Sequence, residues 1–132
     1  IGQSRDANFA RHLDNPDTTE ALVRFAEGFI RWHLEDEPLS VFRLLVAESA
    51  KSPEIVMTFF TVAPDETNAA LAQFFTDRLG VADPTEYLQL WTSMLSAFRD
   101  DVLFGLGRPD NQKITRLAVA ATRVILADVE RV

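Results

Sequence analysis

The chain has 132 residues, 47% of them hydrophobic, with ten Phe and two Trp, enough for one domain with an aromatic core and too apolar for a disordered chain. It has no Cys, which excludes a disulfide framework, Cys-ligated zinc and a thiol nucleophile, and its net charge of −7 argues against these residues gripping nucleic acid or an anionic membrane. No stretch reaches the roughly 18 apolar residues of a membrane-crossing helix, and nothing resembles a signal peptide, so a reducing, cytoplasmic setting is expected.

Residues 1–16, beginning "IGQSRDANFARHLDN", have weak periodicity and read as a linker ahead of a single domain at 17–132. The start at Ile1 rather than Met suggests that an upstream part is missing. Six prolines then organise the chain, because proline favours the first turn of a helix and disfavours helix in the residue before it. Asp17 and Glu20 have capping-box spacing after Pro16. Leu22, Phe25, Ala26, Phe29, Ile30 and His33 follow as one apolar helical face. Glu37-Pro38 opens a second helix. Ser52-Pro53 opens a third with Ser52 as its cap, and Ala63-Pro64 opens a fourth. Asp83 and Glu86 form another box, with Asp83 as cap, heading a long helix over 84–104. Pro109-Asp110 precedes the last, over 110–131. Gly80, Gly105 and Gly107 fall where helices should stop.

The segment "SPEIVMTFFTVAP" has the composition of a strand, but its spacing points the other way. Glu54, Thr58, Thr61 and Asp65 make one narrow stripe on a helix, whereas on a strand Thr58 and Thr61 would face opposite sides. A short helix with most of its surface buried is expected.

The last two helices are apolar on more than one face. Tyr87, Trp91, Met94 or Leu95, and Phe98 make one stripe; Leu90, Met94, Ala97 and Phe104 make another. Ile114, Leu117, Ala121, Val124 and Ile125 share a face that Ala118 and Val129 widen. A helix apolar on two faces must bury both. Either a second copy of the chain covers them in a four-helix interface, with Leu90, Ala97, Phe104, Leu117, Ala121 and Val124 as contacts, or the other helices do.

Catalytic and metal patterns are missing. The two histidines, His12 and His33, lack ligand spacing, and there is no Gly-x-Ser-x-Gly or phosphate loop. In "HLEDE" the acids suit the start of the next helix, while His33 continues an apolar face. Glu48 reads either as a partly exposed helix-end residue or as a buried carboxylate paired with an Arg. Neither a metal nor another cofactor is expected, and no enzyme. The aromatic and Met-rich interior, with His33, Gln73, Gln89, Thr92, Ser93 and Ser96 as sparse polar groups, matches either a filled core or the lining of an apolar ligand cavity.

The stretch "FRLLVAESAKSPEIVMTFF" at 42–60, followed by "APDETNAALAQFFTDRL" at 63–79, resembles the C-terminal regulatory domain of TetR-family transcriptional repressors of the AefR-like subgroup. Arg43, Leu44, Ala47, Glu48, Pro53, Glu54, Phe60 and Pro64 carry the resemblance. It implies an all-α, six-helix regulatory domain whose last two helices form a dimeric four-helix bundle. It also implies a homodimer, a small apolar or aromatic inducer, and operator DNA bound only through an N-terminal helix-turn-helix missing from this chain. Residues 1–16 could then be a remnant of the connecting helix. Ligand binding would shift the short helix at 53–62. Phe29, His33, Met57, Phe60, Phe74, Trp91, Met94 and Phe98 are the pocket candidates. The alternative is a helical dimerisation or interaction module without a ligand.

Overall fold

The computed structural model describes residues 8–62 and 66–131, the side chains of 59–62 excepted. Among them there is no strand. A 3-10 helix, η1 (Phe9–Asp14), is followed by α1 (Thr18–His33), α2 (Asp36–Ser49), α3 (Pro53–Val62), α4 (Glu66–Leu79), α5 (Thr85–Leu95), α6 (Ala97–Leu103) and α7 (Asn111–Glu130). The all-α reading of the sequence holds.

The expected Asp17 cap is in place, and Asp110, expected only at the start of the last helix, caps α7. Asp17 accepts from the Glu20 backbone N–H at 3.0 Å, and Asp110 accepts from that of Lys113 at 2.8 Å. Each supplies a partner to an orphan donor of the first turn. Asp83 differs: it bonds the N–H and hydroxyl of Thr85, two residues on, in an Asx turn, and Pro84 takes the cap position of α5. Those two bonds hold the Asp83 carboxyl below its usual pKa. The second helix starts at Asp36, earlier than the Glu37-Pro38 reading, so Pro38 sits within its first turn, where a missing N–H costs nothing. Pro64 lies outside the described residues.

The expected helix over 84–104 divides at Ser96. Thr92 donates its hydroxyl to the Leu88 carbonyl at 2.7 Å, and Ser96 donates to that of Thr92 at 2.8 Å. Hydroxyls bonding back four residues loosen the backbone ladder and bend helices. The Ser96 N–H is accordingly shared between Thr92 and Ser93 carbonyls.

The core is built around α1. Ala21, Leu22, Phe25, Ala26 and Ile30 are buried there, against Phe74 and Phe75 of α4, Trp91 and Leu95 of α5, and Ile114, Ala118, Ala121 and Ile125 of α7. Phe25 stacks on Trp91 with centroids 5.6 Å apart, and Phe9 meets Phe25 edge-on at 5.0 Å, both favourable ring geometries. The stretch 1–16, expected as a linker, thus contributes Phe9 and Leu13 to the core. Gly28 permits this contact, because a Cβ there would lie 2.3 Å from Cβ of Phe9.

The segment at 53–62 is a helix, as its polar spacing required, but it is not buried. Ile55 is 54% and Met57 67% exposed. The reason is its position: α3 packs chiefly on α2, which itself buries only Leu39. Thr58 bonds back to the Glu54 carbonyl, while the side chains of Thr61 and Asp65 lie outside the described residues.

Candidate functional site

A cleft of about 410 Å³ opens between α1, α4 and the α5–α6 bend. Its walls are Phe29 and His33 from α1, Asn68 from α4, Thr92, Ser93 and Ser96 around the bend, and Arg99 and Asp100 from α6. Phe29 and His33 are four residues apart on one helix face, which brings their rings to 4.0 Å between centroids. Nδ1 of His33 lies 2.7 Å from the Phe29 carbonyl. A carbonyl only accepts, so Nδ1 carries the hydrogen, and the ring is fixed against Phe29. Trp32 meets the same imidazole edge-on at 4.9 Å.

The opposite wall follows from the bend. Thr92, Ser96, Arg99 and Asp100 recur at helical spacing and share one face of α5–α6. Arg99 lies 3.8 Å over the ring of Phe42, which anchors α6 to α2, and bonds Asp100 through Nε and Nη2.

Of the eight residues expected to line a pocket, Phe29 and His33 meet at this cleft. Phe74 and Trp91 are 5% and 0% exposed and belong to the solid core. Met94 and Phe98 are half-buried against that core. Met57 faces solvent on α3, and the side chain of Phe60 lies outside the described residues. Among the described residues these candidates do not enclose one apolar cavity, and Phe29 and His33 border a cleft with largely polar walls. Four of the polar residues noted in the sequence, His33, Thr92, Ser93 and Ser96, do line it, whereas Gln73 and Gln89 face solvent.

Leu90, Phe104 and Val124 are 49%, 81% and 52% exposed, and Ala97 is exposed as well. Leu117 is half-buried against the protomer's own core. Ala121 is buried in that core at 2% exposure and so is not on an exposed face, because α7 turns it toward α1 and α5.

Glu27 was not legible as a site residue. It is a buried carboxylate on α1 that accepts from Thr115 of α7 at 2.7 Å and from Arg24 at 3.2 Å, with Arg31 4.0 Å away. The available signal was its spacing from Arg24 and Arg31, three and four residues off. Glu48, by contrast, is half-buried and has no ion pair among the described residues. A second cleft, of about 480 Å³, lies where α1 and α2 meet the start of α7, with Arg31, Asp36 and Arg108 on its rim. Arg108 there donates to the Leu34 carbonyl at 2.8 Å.

No group of His, Asp or Glu among the described residues could hold a metal ion, and none of their helices is long and apolar enough to cross a membrane. No curated protein and no solved structure matches the chain. The family described as AefR-like transcriptional repressor, C-terminal domain, matches residues 20–128, which runs from the first turn of α1 to the last turn of α7. The chain belongs to that family, the C-terminal regulatory domains of AefR-like, TetR-family transcriptional repressors.

Proposed function

We propose that this domain senses a small aromatic or apolar effector and dimerises on behalf of a repressor whose helix-turn-helix lies outside these 132 residues. The observation that carries the reading is the cleft at the Phe29–His33 pair. Its wall on α1 is continuous with the rest of the fold, since α1 packs on η1 and along α7. A ligand that binds better to one position of α1 than to another would shift the population toward it. The exposed Leu90, Phe104 and Val124 support the dimerisation half of the proposal. The helix at 53–62 remains the proposed moving part: its packing rests chiefly on α2 alone. As a regulatory domain it carries no catalytic role.

The test is a thermal-shift screen of apolar and aromatic compounds on this chain, with each hit then assayed for release of operator DNA by the full-length parent. A hit that raises Tm, loses its effect on Phe29→Ala and changes operator affinity supports the reading. A library that leaves Tm unmoved, while the chain still dimerises, favours a dimerisation module without a ligand.

A further inference from the structure

We infer that the cleft is built for a small planar aromatic carrying neutral hydrogen-bond donors, a phenol or aromatic amine, rather than for a hydrocarbon or a carboxylate; this rests on the effector-sensing reading above. The hydroxyl hydrogens of Thr92 and Ser96 are committed to the carbonyls of Leu88 and Thr92, at 2.7 and 2.8 Å. A hydroxyl has one hydrogen and two lone pairs, so each oxygen keeps only acceptor capacity, and both residues line the cleft. The same back-bonds that bend the helix thus set the polarity of the wall. Arg99, on the same wall, bonds Asp100 through Nε and Nη2 and lies over Phe42. Its charge is offset by the neighbouring carboxylate, and the chain's net charge of −7 further disfavours an anion. Across from the hydroxyls, the Phe29–His33 pair offers ring surface. A hydrocarbon would cover the two hydroxyl oxygens without satisfying them, which costs affinity.

Resorcinol, its apolar isostere m-xylene, and benzoate separate these chemistries when titrated calorimetrically into the chain. Resorcinol should bind about tenfold more tightly than either, the difference one hydrogen bond makes. Thr92→Val, which keeps the side-chain shape and removes the acceptor, and Ser96→Ala should each erase part of that preference, and the two together most of it. Thr92→Ser should retain it and controls for folding. Equal or tighter binding of m-xylene or benzoate overturns the inference, and so does a resorcinol affinity indifferent to Thr92→Val. Failure of all three probes to bind overturns it too, while the sensing reading then stands or falls on the library screen alone.

Discussion

Thr115 of α7 donates its hydroxyl to Oε2 of Glu27 on α1 across 2.7 Å, and the accepting carboxylate is buried. Burying a carboxylate is costly unless its lone pairs are satisfied, and here Arg24 holds the other oxygen at 3.2 Å. The bond therefore fixes the register of the two helices that supply half of the buried core. Thr115→Val should lower unfolding stability by about 1.5–3 kcal/mol, the range for a hydrogen bond to a charged group. In a double-mutant cycle with Glu27→Ala the two losses should be far from additive. Additive losses would mean that the contact carries no energy of its own.

Arg78 closes the joint between η1 and α1. Its Nη1 donates to the carbonyls of Leu13 and Asn15 at 3.2 and 2.7 Å. Its Nη2 donates to the Pro16 carbonyl and the Thr18 hydroxyl at 2.9 and 3.0 Å. The guanidinium also lies 4.6 Å from the centroid of Phe74. A lysine ammonium cannot present two parallel forks, so Arg78→Lys should cost about 2 kcal/mol in urea denaturation despite the conserved charge. A loss below about 0.5 kcal/mol, as for an ordinary surface change, would show that the fork contributes little.

Much of this architecture is legible in the sequence, because local chemistry sets it. The Asp17 and Asp110 caps and the Leu22–Ile30 face depend on residues within a few positions of one another. The helix at 53–62 was recoverable from its polar spacing for the same reason, but its exposure was not. Burial depends on which neighbours arrive, and α3 has chiefly α2. Leu90 and Trp91 make the same point one residue apart: both are large and apolar, yet one is 49% exposed and the other 0%. Nor does composition reveal where a serine hydroxyl donates, so the bend at Ser96 could not be read beforehand.

His12 introduces a pH dependence. Burial lowers its pKa first, and the nearby charges of Arg11 and Arg24 lower it further, against an opposing pull from Glu27. The unfolded chain then binds the proton more readily than the folded one, so stability rises with pH wherever the two differ. The contribution is complete above the ordinary value of 6.5 and is lost as pH falls from there toward the lowered folded pKa. The thermal stability of the unsubstituted chain should fall below about pH 6.5, and His12→Gln should flatten that part of the curve. An unchanged slope in the variant would assign the effect to other groups.

The exposed apolar side chains of α5 and α7 separate a face available for association from one already used in folding. Leu90 and Val124 are 49% and 52% exposed, while Ala121, three residues before Val124, is 2% exposed. A charge placed on the first two should therefore leave the protomer folded and interrupt only association. The chain is expected to sediment as a dimer, and Leu90→Asp with Val124→Asp should shift it to monomer with its far-UV circular dichroism retained. Its Tm should then lose the dependence on protein concentration that a dimer shows. Ala121→Asp should instead unfold the chain, because it buries an unpaired charge against α1 and α5. A parent that sediments as a monomer at tens of micromolar, or a dimer that survives the double substitution, would place the association surface elsewhere.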